Sequence, residues 1–440
     1  MRISYGAKTD TGLQRAKNED NYLVDPNLQI FVLCDGMGGH AGGATASSLA
    51  VQEVHDFLTR QLTPQPPDTE GYPSLIAQSI AHANRRIYEH SLENPEVQGM
   101  GTTLSMVLIQ GARAYVGHVG DSRVYLIRSG HTHQITDDHS FIGEMMRHGG
   151  TRNILDVSPK LRNAITRAVG TREHVDSDGL EIDLLPGDRI LLCSDGLHGY
   201  ADPATLHRLT EGGDEPKDVC DQLVAYANEA GGKDNITVIM IEIHETPEWD
   251  GQEMQQNLKA LRAVGLFRHL SYSELLKVLH VAEERVMQQG ETLFETGAVE
   301  DAVYAILSGQ VTFHQESKPV SVLTQGHHFG ELALVDTTPR SVDAVAIEET
   351  RLLVLKRTGF YTLLRGDTQV AIKLLWSFVK SLTIRLHSMS DRLALGESLY
   401  RTFPNQELDT DAPHGWLRHV ENTEVPPPLP LPPSPPKETE

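Results

Sequence analysis

Four short motifs built around aspartate lie in the first half of the chain: Arg15-Ala-Lys-Asn-Glu19-Asp20, Cys34-Asp35-Gly36-Met37-Gly38-Gly39, Cys193-Ser194-Asp195-Gly196 and Gly231-Gly232-Lys233-Asp234-Asn235. Two of them follow the same kind of apolar run, Ile30–Leu33 before Asp35-Gly36 and Ile190–Leu192 before Asp195-Gly196. A buried strand that ends in Asp-Gly presents a carboxylate beyond the sheet, and the glycine lets the chain turn away sharply. Carboxylates gathered in this way repel one another unless a cation neutralises them. Hard oxygen donors without His or Cys partners suit Mg²⁺ or Mn²⁺.

The elements that must gather these residues can be read from the same half. Short apolar runs at Ile30–Leu33, Leu104–Ile109, Ala114–Val119, Val124–Ile127, Ile190–Leu192 and Ile236–Ile243 are bounded by Gly, Asp and Asn and predict strands. Helical spacing marks Ala44–Thr59, Ser74–Glu89 and Pro216–Ala230, with a Pro-rich loop at Leu62–Pro73. Strand runs broken by helix pairs, without regular alternation, predict an α+β fold rather than a doubly wound sheet. This domain is expected to span residues 1–245, with a linker at 246–256. Beyond it, helices are expected at Glu253–Val264 and Ser271–Val281. From Arg285 the texture changes to short alternating strands punctuated by Gly290, Gly297, Gly309, Gly326 and Gly330. That pattern predicts a small β-barrel or jelly roll with flanking helices, in a second domain at 257–395 closed by an amphipathic helix over Asp367–Leu386. Residues 396–440 read as a disordered tail. Its run Val425–Pro436 suits polyproline II, either a plain solvated terminus or a ligand for a proline-binding module.

Composition narrows the classes. The 440 residues carry a net charge of −22. That excludes nucleic acid as the main partner and argues against an anionic membrane surface. Three cysteines, Cys34, Cys193 and Cys220, are widely spaced, which predicts buried thiols rather than disulfides or a zinc site. With no signal peptide and no apolar run of about 18 residues, a cytoplasmic protein is expected.

The first half resembles the metal-dependent, type-2C-like (PPM) Ser/Thr protein phosphatases. The residues that carry the likeness are Arg15, Asn18-Glu19-Asp20, Asp35-Gly36-Met37-Gly38-Gly39-His40, Gly101-Thr102-Thr103 and Gly120-Asp121-Ser122-Arg123. They continue through Asp138-His139-Ser140, Ile165–Ala168, Ser194-Asp195-Gly196-Leu197 and Gly232-Lys233-Asp234-Asn235. The resemblance implies an αββα sandwich with two divalent cations, Mn²⁺ or Mg²⁺, between its sheets. Asp35 would bridge them, Asp195 and Asp234 would complete one, and Glu19 and the Gly36 carbonyl would serve the other. Asp121 matches a residue that shares a third, weaker cation with Asp195. Two cations about 3.5–4 Å apart activate a shared water for in-line attack on phosphorus. Arg15 would clamp the phosphate with its planar fork of donors. Eukaryotic members often have His where Met37 stands, so the leaving-group acid is either His40 or a metal-bound water. Ser140–Arg162 falls where bacterial members carry a mobile flap. His139 reads as structural, and His131 and His133 as surface residues.

The segment Leu266–Leu386 resembles a cyclic nucleotide-binding domain through Gly290–Gly297, Val303–Gly309, Phe329-Gly330-Glu331-Leu332-Ala333-Leu334 and Pro339-Arg340-Ser341. The resemblance implies that Gly330, Glu331, Leu332, Ala333, Arg340 and Ser341 hold cAMP or cGMP. Arg340 would meet the cyclic phosphate and Glu331 the ribose hydroxyl, with backbone N–H groups of the Gly330–Leu334 turn facing the anion. Asp343 would weaken binding if it faced the phosphate, and Trp376 or Phe378 could cap the ligand, though core positions suit both better. The expected function is hydrolysis of phosphoserine and phosphothreonine in proteins, among them a Ser/Thr kinase or its targets, tuned by a cyclic nucleotide. The alternatives are a non-catalytic sensor or scaffold, and a phosphatase whose barrel serves dimerisation.

Overall fold

The computed structural model describes residues 1–38, 42–63, 71–141, 143, 164–212, 214–246, 251–316, 318–334, 339–366 and 368–394. His40, most of the Ser140–Arg162 segment and the Pro-rich tail lie outside these residues.

Two five-stranded sheets build the first half. One runs β1 (Arg2–Asp10), β12 (Ile236–Glu245), β11 (Arg189–Cys193), β8 (Arg123–Arg128), β9 (His131–Gln134). The other runs β10 (Asp178–Asp183), β7 (Arg113–Val119), β6 (Leu104–Gln110), β3 (Ile30–Cys34), β2 (Asn21–Asp25). Neighbours in both sheets are antiparallel.

The period of two along a strand sorts side chains into layers. In β3, Phe31 and Leu33 enter a core shared with Ile190 and Leu192 of β11, between the sheets. Ile30, Val32 and Cys34 face outward and pack with Leu58, Ile76 and Ile80 on the helices Gly42–Leu62 and Tyr72–Glu93. In β11, Leu191 and Cys193 face Val219 and Leu223 of the helix Pro216–Glu229 on the opposite outer side. Ile30–Cys34 and Ile190–Cys193 are therefore apolar at every position because both faces are covered. The result is a helix–sheet–sheet–helix stack, with the Asp-Gly turns leaving the inner edge. All three cysteines are buried free thiols.

The C-terminal half departs from expectation. Its strands form two separate four-stranded sheets: β13 (Glu283–Met287), β20 (Thr350–Lys356), β15 (Ala302–Ser308), β18 (His328–Phe329), and β14 (Thr292–Phe294), β19 (Asp343–Ala346), β16 (Gln310–Gln315), β17 (Lys318–Thr324). Among the described residues neither sheet closes on itself, so the predicted β-barrel or jelly roll is not formed. Closure requires end strands to pair. Here the edge strand β18 meets β15 over only two residue pairs, and no ladder returns it to β13. Glycine spacing reports turns between strands, which open and closed sheets share.

The two halves are joined by packing. The core between the first two sheets continues through Leu261, Phe267 and Leu275 to Val303, Leu353 and Phe378. The helix Tyr272–Val281 begins with a capping box, Ser271 with Glu274. Its Tyr272 hydroxyl accepts from the buried Arg128 Nη1 at 2.9 Å, and its ring stacks on His133 at 4.0 Å and 12°. His133, expected at the surface, is therefore part of this junction. Phe378 is in the core, whereas Trp376 is 56% exposed.

Candidate active site

The Asp-Gly turns converge at one end of the stacked sheets. Where β3 ends, Asp35 is fixed through its backbone: its N–H donates to Thr103 Oγ1 (2.9 Å), and its carbonyl accepts from the Thr103 N–H (2.8 Å) and the Thr102 hydroxyl (2.9 Å). Gly36 starts the short strand β4 (Gly36–Met37), which pairs with β5 (Gly101–Thr102). Thr103 also shares a hydrogen bond with Ser122 (2.7 Å), next to Asp121. The Asp121 loop is further held by His139, whose Nδ1 accepts from Gly120 N–H (3.1 Å) and whose N–H donates to the Gly120 carbonyl (2.7 Å). Where β11 ends, Asp195 opens the short helix Asp195–His198.

Asn235 ties the Arg15–Glu19 loop to this cluster. Its carbonyl oxygen accepts from Glu19 N–H (2.8 Å), and its amide donates to the carbonyls of Thr11 (2.9 Å) and Lys17 (3.0 Å). Gly43, opening the helix Gly42–Leu62, must lack a side chain: a Cβ there would lie 2.5 Å from Glu19 Oε2. Arg15 donates from Nη2 to Asp234 Oδ2 at 2.6 Å, and its side chain is 54% exposed.

The carboxylates load one another electrostatically. Burial, then the negative charges of Asp20, Asp195, Asp121 and Asp234, push the Asp35 carboxyl well above its usual range. Burial, then Asp195, raises Asp121 to about 7. Burial and Asp234 raise Asp195 to about 6 against an opposing hydrogen bond with Asp35. Asp195 Oδ1 is buried with no hydrogen-bond partner. Among the described residues no three His, Cys, Asp or Glu side chains already enclose a single metal position. The donor set nonetheless fits divalent cations: all-oxygen, mutually repelling, and with an unsatisfied buried oxygen.

Sequence reasoning assigned no role to Asp20, although it stood in a motif. It is buried, and its Oδ2 accepts from Ser194 (2.8 Å) and Thr237 (2.6 Å) hydroxyls. Burial raises it to about 7. It braces the turn before Asp195 from beneath. Its position immediately before the strand β2 was the available signal.

A second polar site lies in the C-terminal half. The turn Glu331–Leu334 follows Gly330, whose φ of +82° and closeness to the Ala302 carbonyl (2.9 Å from an added Cβ) require glycine. Arg340 is partly buried. It donates to the carbonyls of Ala302 (3.0 Å) and Gly330 (3.4 Å), lies over the Phe294 ring at 4.5 Å, and stands 3.5 Å from the Glu300 carboxylate. Its Nε is buried without an acceptor. Glu331 and Ala333 are buried, while Leu332 and Ser341 are exposed. Asp343 is turned onto Thr296, accepting from its N–H (2.6 Å) and hydroxyl (2.8 Å). Its charge is thus engaged by Thr296.

Comparison with known proteins bears on both sites. The Protein phosphatase 2C family profile matches residues 14–236, half of the chain. The chain belongs to the protein phosphatase 2C family. A cyclic nucleotide-binding domain profile matches residues 284–367. The chain is similar to the serine/threonine phosphatase stp of Listeria innocua, 32% identical over 53% of this chain and 94% of that protein. It is also similar to the protein phosphatase PhpP of Streptococcus pneumoniae, 34% identical over 54% and 96%. Among solved structures, Stp1 from Staphylococcus aureus shares 33% identity over 56% of this chain and 96% of its own, with a TM-score of 0.50. The chain is therefore an enzyme, a metal-dependent PPM Ser/Thr protein phosphatase, with a cyclic nucleotide-binding domain on the same polypeptide. In this phosphatase, Arg15, Glu19, Asp35, Gly36, Asp121, Asp195 and Asp234 are brought to one region. His40 falls outside the described residues.

Proposed function

We propose that this phosphatase removes phosphate from phosphoserine and phosphothreonine in proteins with Mn²⁺ or Mg²⁺ held by Glu19, Asp35, the Gly36 carbonyl, Asp195 and Asp234, and a third ion by Asp121 with Asp195. The carrying observation is the buried Asp35 carboxyl, on which Asp20, Asp195, Asp121 and Asp234 press with like charge, beside a buried Asp195 oxygen without a hydrogen-bond partner. When bound, the cations lower the pKa of water and neutralise charge on the phosphoryl oxygens. The chain's own residues do the rest. Asp35 and Asp195 would offer carboxylate oxygens to the cations. Asp20 holds the base of the turn before Asp195. Arg15, exposed beside Asp234, would offer its guanidinium to two phosphate oxygens of the substrate. Buried free thiols suit a reducing cytoplasm. The decisive assay is hydrolysis of a phosphothreonine peptide with Mn²⁺, with chelator, and by Asp35→Asn with Mn²⁺. Equal rates in all three would sink this reading; a loss of at least about 100-fold in the last two is expected.

The same proposal extends to the second site, where cAMP or cGMP binds and tunes the phosphatase. The support is Arg340, a partly buried arginine whose buried Nε lacks an acceptor, next to the Gly330–Leu334 turn. The cyclic phosphate would complete Arg340, and Glu331 would meet the ribose hydroxyl. Calorimetry with each nucleotide, on the wild type and Arg340→Ala, tests it. Heat that disappears in the variant is the expected outcome, and no heat with either nucleotide would remove the ligand from the account.

A further inference from the structure

Asp121 and Asp195 stand on neighbouring strands of one sheet, but beyond its last rung. β8 and β11 pair antiparallel as far as Arg123 opposite Cys193. Asp121 lies two residues before Arg123, and Asp195 two residues after Cys193. The ladder between these strands thus stops short of both carboxylates. Like charge drives the two segments apart: after burial, Asp195 is the largest influence raising the Asp121 carboxyl.

One side chain bridges the gap. His198 ends the helix Asp195–His198, and its Nε2 stands 2.9 Å from the backbone carbonyl of Asp121. A carbonyl only accepts, so this ring nitrogen carries a proton and donates it. The helix gives it a firm base. Leu197 is fully buried, and Gly196 packs so closely on Asn235 that an added Cβ would lie 2.0 Å from that residue's carbonyl oxygen. The Gly199 N–H closes the turn on the Asp195 carbonyl at 2.9 Å. His198 and Asp195 therefore belong to one fixed turn. The bond to Asp121 uses the backbone carbonyl and not the carboxylate. From the other side, Ser122 is hydrogen-bonded to Thr103 (2.7 Å), which also holds the Asp35 backbone. Asp121 is thus referenced to Asp35 through Ser122 and to Asp195 through His198.

We propose that His198 is a positioning residue for the ion shared by Asp121 and Asp195, setting the separation of the two carboxylates without touching the metal. This rests on the third-ion reading given above. Two ligands that repel each other must be held together before the cation arrives, or ordering them lowers its affinity. Loss of the bridge frees the Asp121 segment, while Asp195 stays in place on its packed helix. The ions at Asp35, Asp195 and Asp234 keep their ligands, and the shared ion alone is weakened.

Calorimetric titration of the metal-free full chain with Mn²⁺ tests it, with thermal unfolding in chelator to certify that each variant folds. The wild type is expected to show a tighter class of site and a weaker one that Asp121→Ala abolishes. His198→Leu should weaken that second class at least about 10-fold and leave the first unchanged. His198→Gln, whose amide reaches the same carbonyl with a donor, should restore most of the loss. His198→Asn is too short to reach, should behave as Leu, and serves where Leu disturbs the fold. In the Asp121→Ala background, His198→Leu should leave Mn²⁺ binding as it is, because the two changes act on one site. A wild-type titration from His198→Leu and His198→Asn, equal weakening of both classes, or Gln no better than Leu would overturn the proposal and leave the third ion standing. Identical titrations of the wild type and Asp121→Ala would overturn both.

Discussion

The junction between the halves allows one prediction to be worked through. Arg128 ends β8, and Asp188 precedes β11. The two form a buried pair, Nε to Oδ1 at 2.7 Å and Nη2 to Oδ2 at 2.5 Å. Arg128 Nη2 also donates to the Asp183 carbonyl (2.7 Å), and Nη1 donates to the Tyr272 hydroxyl (2.9 Å). Tyr272→Phe removes that acceptor while keeping the ring stacked on His133. One buried N–H of a cation is left unsatisfied, which costs about 1.5–3 kcal/mol. Arg128→Met strands the Asp188 carboxylate with only the Leu185 N–H as donor (2.7 Å), at about 3–5 kcal/mol. In the Arg128→Met background the Tyr272 hydroxyl has already lost its donor, so the further cost of Tyr272→Phe should fall below about 0.5 kcal/mol. Urea unfolding followed by circular dichroism reads this. With a slope near 3 kcal/mol per M, Tyr272→Phe alone lowers the midpoint by roughly 0.5–1 M. The opposite ends of β8 and β11 lead to Asp121 and Asp195, so phosphatase activity followed through the same titration shows whether the site fails with the junction. Equal cost of Tyr272→Phe in both backgrounds would refute the hydrogen-bonded link.

Two further outcomes are expected. In metal-free protein, Asp20 and Asp121 titrate near 7 and Asp195 near 6, all above the ordinary carboxylate value. The folded state therefore holds protons that the unfolded chain has released. Stability is fully present below about pH 4 and falls as pH rises through 6 to 7, by a few kcal/mol. Thermal midpoints with chelator should be higher at pH 5 than at pH 7.5, and saturating Mn²⁺ should narrow that gap; a flat chelated profile would contradict the mutual loading. Gly43→Ala places a methyl group 2.5 Å from Glu19 Oε2 and 2.9 Å from the Gly36 carbonyl carbon. It should weaken Mn²⁺ activation at least about 10-fold in a metal titration while the C-terminal half keeps its fold by circular dichroism.

The catalytic half was legible because its signals are local. A strand covered on both faces is apolar along its run, and Asp-Gly turns the chain at its end, so Ile30–Leu33 and Ile190–Leu192 stood out. Strands β1 and β10 did not. Arg2–Asp10 and Asp178–Asp183 mix charged residues and glycine into their apolar positions, and their strand character comes from pairing with β12 and β7. Asp20 and Asn235 were visible as letters, but their tasks depend on Ser194, Thr237 and Glu19, distant in sequence. His133 read as a surface residue because the residue that covers it, Tyr272, belongs to the other half.

What the sequence alone determined is the chemistry: which side chains are acidic, where strands end, which arginines can meet phosphate, and that the last helix is amphipathic. Local turn geometry and side-chain periodicity suffice for those. Only the tertiary structure decided that the C-terminal strands remain two open sheets, that Asp20, Asp195, Asp121 and Asp234 crowd the Asp35 carboxyl, and that Phe378 is buried while Trp376 faces solvent. Each of these turns on which atoms meet across long sequence separation. Strand spacing does not encode edge pairing, a carboxylate's proton depends on charges from other strands, and an amphipathic helix does not announce which of two apolar faces its own chain will cover.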